Sequence, residues 1–459
     1  MTEYSVRGFN VVVVGAARSG VAAARLLASR GARVTLTEMS DDVSEEIERL
    51  RHVGVDLELG GHRSGTLEAA DLVVLSPGVS PSLTVLDGAR RARVPVISEI
   101  ELASRWLQGR IVAVTGTKGK STTTVLLGRM LEARGGLVLV GGNVGTALST
   151  QVDQSTPEAV HVVEVSSFQL ELTTTFRPSI AVFLNLHADH LDRHAGVVEY
   201  AAAKARLFAN QRSSDTLVVN ADDPEVLRLA RDSRARRVSY ALTAPLSEGL
   251  VVAGGAIVHR TSDGDAPLVP LSAVHLLGRH LLSDVLAASA VAHLLGVSGE
   301  EMTRVVDGFT GLEHALEPVG QVGRVRFVND SKATNVESAR CAVESCGGHL
   351  VVIMGGHYKG GAFETLAPLL GSRADAVVSI GEASGLIREA FGAVVRVVES
   401  GSLTEAVRVA YGLASPGGTV LLAPACASLD MFQDYAERGR VFKHAVARLR
   451  EEVGKRREQ

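Results

Sequence analysis

The sequence predicts an α/β protein built from three successive doubly wound domains. At 459 residues the chain has the length of about three domains of roughly 150 residues each. Short runs of β-branched residues alternate with helical stretches, the pattern of parallel sheets covered by helices. The alternation restarts twice, at Ile111 and after Gly311.

The first series, in a domain expected over 1–104, has strands at NVVVVG (10–15), RVTLTE (33–38), LVVLSPG (72–78) and PVIS (95–98). The second, over 105–311, opens with the strand Ile111–Val114. A helix follows from Ser121 to Ala133, with Val125, Leu126, Met130 and Leu131 at helical spacing. VHVVEV (160–165) and IAVFLNL (180–186) continue it, then a polar, Gly-rich stretch near 242–270 and a helix around 281–296. The third, over 312–459, has strands at VRFVND, HLVVIMGG, AVVSIG and TVLLAPA. It ends in a charged segment, EEVGKRREQ, read as a solvated helix end.

Composition narrows the function classes. A net charge of −4 and 4% aromatic residues exclude a nucleic-acid binder, which needs a basic face and stacking platforms. Cys341, Cys346 and Cys426 form neither a CxxC pair nor an even disulfide framework, which suits a reducing compartment. MTEYSVRGFN has no basic segment followed by an apolar core, and no apolar run reaches the roughly 18 residues of a membrane span. A soluble, cytoplasmic protein with no membrane partner is expected.

The strongest chemical signal is IVAVTGTKGKSTTT, residues 111–124. A strand runs into Gly116-Thr117-Lys118-Gly119-Lys120-Ser121-Thr122 and then a helix. Unpaired N–H groups at the helix start, the Lys120 charge and the Ser121 hydroxyl suit a polyphosphate with Mg2+. Val114 stands where the full phosphate-loop pattern has Gly. A second turn, GAARSG (15–20), also follows a strand, but Ala17 replaces the Gly of a dinucleotide fingerprint. Gly15 and Gly20 serve either as tight-turn residues or as support for a nucleotide diphosphate, with Ser19 or backbone amides on the phosphates.

Glu164 ends a β-rich run, at the sheet edge where open α/β folds bind ligands, and is a candidate Mg2+ ligand. NLHADHLDRH (185–194) gathers His187, Asp189, His190, Asp192 and His194. Its H-x-x-H-x-x-x-H spacing is not a structural zinc pattern, so one or two members serving Mg2+ or substrate is the economical reading. Lys204 shares an apolar helical stripe with Tyr200, Leu207 and Phe208. Its ammonium either snorkels to solvent or is buried as a neutral amine able to take up CO2 as a carbamate. In the third series, VNDSKATN (328–335), GGHYKGG (355–361) and APACASLDMF (423–432) put Asp330, Lys332, Thr334, Lys359 and Ser428 at three strand ends, a rim suited to a small charged metabolite.

Taken together, GTKGKST, VEVSSFQLE, DHLDRH, the Lys204 helix, NDSKATN, the Lys359 turn and PACASLD resemble the Mur ligases in their D-glutamate-adding branch, over essentially the whole chain. The resemblance implies an N-terminal Rossmann-like domain, a central P-loop ATPase-type domain and a C-terminal Rossmann-like domain. It implies ATP-dependent addition of D-glutamate to UDP-N-acetylmuramoyl-L-alanine by a monomer, in peptidoglycan precursor synthesis. Arg18, Ser19 and Ser76 would lie near the UDP group, with Asn143 and His190 near the muramoyl-alanine end. Lys120, Ser121 and Glu164 would serve the phosphates and one Mg2+, and His190 with carbamylated Lys204 a second. Lys332, Thr334, Lys359, Ser428 and Tyr435 would hold D-glutamate, with Asp330 on the nucleotide. Three positions depart from the pattern: Leu281 for an Asn expected on the adenine, Ala315 for an Arg expected near the nucleotide, and Ala362 for an Asp. Two alternatives are a folylpolyglutamate synthase-like ligase and a regulatory relative with weakened ATP binding.

Overall fold

A computed structural model describes residues 4–187, 189 and 193–458. Residues up to Ala273 together with Ser283–Val306 form one compact unit, and Val274–Leu282 with Asp307 onward form a second.

The first unit contains two sheets. The N-terminal one consists of β1 (Asn10–Val14), β2 (Arg33–Thr37), β3 (Val55–Glu58), β4 (Leu72–Leu75) and β5 (Val96–Ser98), in the order β3-β2-β1-β4-β5 and parallel throughout. Both faces are covered. Val11, Val13 and Val74 pack with Leu27 and Leu102 on one side, and Val12, Val14 and Val73 with Leu67 and Leu86 on the other. That is why the strands read as unbroken valine runs rather than alternating patterns. Strand order reverses between β1 and β4, so a crevice opens where 15–20 and 76–79 leave the sheet.

The second sheet has β6 (Arg110–Thr115), β7 (Val138–Gly142), β8 (Val160–Glu164), β9 (Ile180–Phe183), β10 (Thr216–Asn220), β11 (Arg236–Ala241), β12 (Gly249–Ala253), β13 (Ala256–Thr261) and β14 (Gly264–Pro270). Its order is β14-β13-β12-β11-β10-β9-β6-β8-β7. The last three strands revise the sequence reading, because the polar stretch near 242–270 is an antiparallel meander. Gly254 and Gly255 both adopt positive φ (56° and 76°), as a two-residue hairpin turn requires.

The second unit carries β15 (Glu317–Val322), β16 (Val325–Asn329), β17 (Leu350–Gly355), β18 (Ala374–Ile380), β19 (Arg396–Glu399) and β20 (Thr419–Leu422). The order is β15-β16-β20-β17-β18-β19, parallel except for β15 on β16. The helix Tyr435–Glu458 lays Phe442, Ala445, Val446 and Leu449 on one face of this sheet.

Within the first unit, one carboxylate joins the helix after the N-terminal sheet to the central sheet. Fully buried Glu101, in the helix Glu99–Ser104, accepts bonds from the N–H groups of Thr174 (3.0 Å), Thr175 (3.0 Å) and Phe176 (2.8 Å) and from both threonine hydroxyls. Arg105 adds an ion pair at 3.0 Å. Burial pushes the carboxyl pKa up, but the Thr175 hydroxyl and the three amides outweigh it and hold the group below its ordinary 4.5. Glu101→Ala should therefore strand the buried Phe176 amide and two part-buried threonine amides, and lower the unfolding free energy of this unit by about 1–3 kcal/mol. Because the folded pKa is depressed, that contribution is complete above 4.5 and is lost as pH falls through the folded value. Urea midpoints of wild type and variant should thus converge in acid; a gap that stays constant would contradict the assignment.

Candidate active site

In the N-terminal crevice, Gly15 turns with φ +92° and accepts a bond from the Ser76 hydroxyl at 2.8 Å. A Cβ on Gly20 would sit 1.9 Å from the Gly15 carbonyl oxygen and 2.6 Å from Ser76 Oγ. Gly20 is therefore required for close approach of the helix Arg18–Ser29 to the strand end, which meets one of the two roles left open by the sequence. Ser19 is buried. Arg18 reaches away from its own helix, donating to the carbonyl of Asn143 at 3.1 Å and to that of Gly145.

The phosphate loop leaves β6 between two neighbouring strands, β8 and β9, again at a switch point. Gly116 (φ +159°) and Gly119 (φ +81°) bracket the turn, and Gly119 caps the helix Lys120–Arg134. The first amides of that helix have no intrahelical acceptor and point at whatever lies above the turn. Asn185, just beyond β9, holds the loop in shape: its Oδ1 accepts from Thr117 N (3.0 Å) and Lys118 N (2.8 Å), while its Nδ2 donates to the Lys118 carbonyl at 3.1 Å. Lys120 Nζ folds back onto the carbonyls of Gly116 (3.0 Å) and Thr117 (2.9 Å). Ser121 and Thr122 follow in the first turn.

Register places the next two groups. Val114 pairs with Glu164 across β6 and β8, and Gly142 with Glu164 across β7 and β8, so the carboxylate stands beside the loop. Glu164 is buried. Its Oε1 accepts from Asn143 Nδ2 at 2.6 Å, and its Oε2 has no hydrogen-bond partner among the described residues. A buried, unsatisfied carboxylate oxygen beside a phosphate loop is the donor a divalent cation takes, so these residues fit Mg2+.

Lys204 does not snorkel. It is 1% exposed, donates to the Gly116 carbonyl at 2.8 Å and lies 4.7 Å over the Tyr200 ring. Burial first, and the Lys120 charge second, depress its pKa well below the ordinary lysine value against the opposing pull of Asp189 and Glu164. Thr117 links loop and helix through its hydroxyl, 3.2 Å from Tyr200 OH.

Of the histidine-rich segment, His190 and Asp192 lie outside the described residues. His187 is exposed, and its backbone exchanges two bonds with the Thr117 hydroxyl. His194 is buried against Ser167 (3.1 Å) and packs edge-on against Tyr200, a structural role. Neighbouring Arg193 donates to the Val79 carbonyl at 3.1 Å and lies 4.4 Å over the Phe168 ring.

In the second unit, β16, β20 and β17 are adjacent and parallel, so the three polar loops leave one edge together. Asp330 Oδ1 accepts from Leu316 N at 3.2 Å, and Lys332 N donates to His314 O at 3.0 Å. Thr334 N bonds the Lys332 carbonyl, Lys359 is exposed, Ser428 is buried and Tyr435 is 39% exposed. Arg438, which the sequence reading did not single out, fixes all three loops. Its fully buried guanidinium donates to the carbonyls of Ser331 (2.9 Å), Gly355 (3.5 Å), Cys426 (3.2 Å) and Ala427 (3.2 Å). Burial pulls its pKa down to about 10. Leu281 is 7% exposed within an apolar cluster that includes Val343, Cys346 and Phe363. Its side chain is part of the core, so an amide there would be buried.

Asp284 was also missed. It is 3% exposed, its Oδ2 has no partner among the described residues, and a Cβ on Gly119 would lie 2.0 Å from its Oδ1. Burial lifts its pKa to about 8, with Lys120 pulling in the opposite direction. A carboxyl raised in the folded state costs stability as pH climbs from its unfolded value toward 8, at up to about 1.4 kcal/mol per pH unit. Asp284→Asn should accordingly stabilise the nucleotide-free protein progressively between pH 4 and 8, with the advantage level above that. A denaturation series showing the same advantage at every pH would contradict the buried neutral carboxyl.

Three family models match the chain: a Mur ligase MurD-like N-terminal domain over 9–98, the Mur ligase middle domain over 114–292 and the Mur ligase glutamate ligase domain over 316–426. A relative named UDP-N-acetylmuramoylalanine--D-glutamate ligase from Acidobacterium capsulatum is 43% identical, with 96% of each chain covered. One of the same name from Pelotomaculum thermopropionicum is 42% identical over 96% of this chain and 98% of its own. Among solved structures, a pseudomurein peptide ligase type C from Methanothermus fervidus shares the fold at a TM-score of 0.60 and 18% identity, over 96% of this chain and 100% of that one. Sheets with ligand crevices at their switch points, a phosphate loop beside a buried carboxylate, and end-to-end similarity of this extent lead to one assignment: the chain belongs to the Mur ligase family.

Proposed function

We propose that this protein joins D-glutamate to UDP-N-acetylmuramoyl-L-alanine at the expense of ATP, in the cytoplasmic synthesis of peptidoglycan precursors. The observation that carries the proposal is the phosphate loop set against buried Glu164 and buried Lys204, in a chain 43% identical end to end to a D-glutamate ligase.

A carboxylate is a poor acyl donor, so it must first acquire a leaving group. An oxygen of the alanine carboxylate attacks the γ-phosphorus of ATP, forming an acyl phosphate as the bond to the β-phosphate oxygen breaks and ADP departs. The amine of D-glutamate then attacks the carbonyl carbon, loses a proton, and phosphate leaves. No nucleophilic side chain is required; the protein's contribution is positioning and charge.

Amides of Gly116–Thr122 and the Lys120 ammonium hold the phosphates, with Lys120 exchanging its loop carbonyls for phosphate oxygens. Ser121 and Glu164 are the ligands for one Mg2+, and His190 with Lys204, as a carbamate, for a second. When bound, these cations neutralise charge on the transferring phosphoryl group. Arg18, Ser19 and Ser76 take the UDP end, and Asn143 and His190 the muramoyl-alanine end. In the second unit, Lys332, Thr334, Lys359, Ser428 and Tyr435 take D-glutamate, and Asp330 the nucleotide. Burial of Lys204 beside a second ammonium supports its carbamylation, because only a neutral amine adds to CO2.

The test is phosphate release from ATP with UDP-N-acetylmuramoyl-L-alanine and a panel of amino acids. D-glutamate should stand out, and equal or faster release with an L-amino acid would overturn the substrate assignment. Lys204→Ala should lose more than the roughly 10- to 100-fold that removing an outer-shell metal partner costs. Added short-chain carboxylates should restore part of the rate by standing in for the carbamate. Full activity in Lys204→Ala without bicarbonate would refute this role.

A further inference from the structure

The helix after β1 begins at Arg18, an exposed residue, while its neighbour Ser19 is buried. Yet Arg18 spends both terminal nitrogens on one distant turn, donating to the carbonyls of Asn143 and Gly145. That turn follows β7, is flanked by Gly142 (φ +96°) and Gly145 (φ +67°), and exposes Asn143, Gly145 and Thr146. Glycine at these two positions permits the left-handed backbone that the turn uses.

The same turn sets the candidate cation ligand. Asn143 N donates to the Glu164 carbonyl at 2.9 Å, and Asn143 Nδ2 to Glu164 Oε1 at 2.6 Å. With one oxygen so engaged, Oε2 is the buried one without a partner among the described residues. A continuous path thus runs from the start of the helix Arg18–Ser29, through the 143–145 turn, to the carboxylate beside the phosphate loop.

We infer that Arg18 is a positioning residue for the metal-binding carboxylate: by clasping the 143–145 turn it keeps the Asn143 amide on Glu164 and so orients the free oxygen. This role is separate from contact with the UDP group and rests on the reading of Glu164 as a cation ligand.

Mn2+ is a suitable probe, its free form measured by electron paramagnetic resonance in full-length protein saturated with ADP and lacking the UDP substrate. Arg18→Met should raise the half-saturating Mn2+ concentration about tenfold, the scale of a lost outer-shell partner. Asn143→Ala should do the same, and the double variant should be no worse than either single one, because the two act in series. Arg18→Lys, whose ammonium can hold one of the two carbonyls, should recover part of the loss. It also provides the measurement if the methionine variant does not fold. If Glu164→Gln leaves Mn2+ binding intact, the reading of Glu164 fails and the inference with it. If Glu164→Gln weakens binding but neither Arg18 variant does, while their apparent KM for the UDP substrate rises, Arg18 is a substrate ligand only and the inference alone is overturned.

Discussion

Two ammonium groups converge on one backbone oxygen. Lys120 at 3.0 Å and Lys204 at 2.8 Å both donate to the Gly116 carbonyl, in a place where Lys204 is almost wholly removed from water. Like charges at such a spacing in a poorly solvated site repel strongly, and the protein relieves this by keeping one amine easily deprotonated. The surroundings follow from that constraint. Asn185 stiffens the loop, Tyr200 lends its ring to Lys204 and its hydroxyl to Thr117, and Glu164 supplies negative charge one row away. An arrangement that sets cationic side chains against the start of a helix suits a polyanion.

The second unit solves the reverse problem. Its three loops carry many backbone carbonyls and few side chains able to organise them. A single guanidinium, with five donors in a fixed plane, gathers the carbonyls of Ser331, Gly355, Cys426 and Ala427. Arg438 bears no resemblance in role to the exposed Lys359, although both are cations near the same strand ends. One is a structural pin that never meets solvent, and the other is exposed to it.

Much of this was legible because the informative residues are local. The phosphate loop is one contiguous segment between strand and helix, and the position of Lys204 on an apolar stripe was enough to mark it as unusual. The three sheets were readable from their β-branched runs, which stay uninterrupted because both faces are covered. What escaped detection depends on partners far away in sequence. Asn185, Asp284, Arg193, Glu101 and Arg438 look like ordinary polar residues until folding brings residues 67, 165, 114, 73 and 107 positions away, respectively, against them. The 249–270 meander was noted only as a polar, Gly-rich stretch because its strands are short and partly exposed, although the Gly254-Gly255 pair was a usable turn signal. The resemblance marked Leu281 only as standing where an Asn is expected, and its burial in an apolar cluster depends on distant residues such as Val343 and Phe363.

Arg438 also has a consequence for how the chain matures. Proteins fold as they are synthesised, amino-terminal segments first. The loops after β16, β17 and β20 all precede residue 438, so each emerges before the guanidinium that fixes its carbonyls. Until the helix Tyr435–Glu458 docks, those loops hold one another only through backbone pairs such as Ala425 N on the Ala333 carbonyl (2.9 Å) and His357 with Ala427, without the guanidinium. The guanidinium's part in this edge is therefore added late in synthesis, while the phosphate-loop partners Asn185, Tyr200 and Lys204 all precede residue 438.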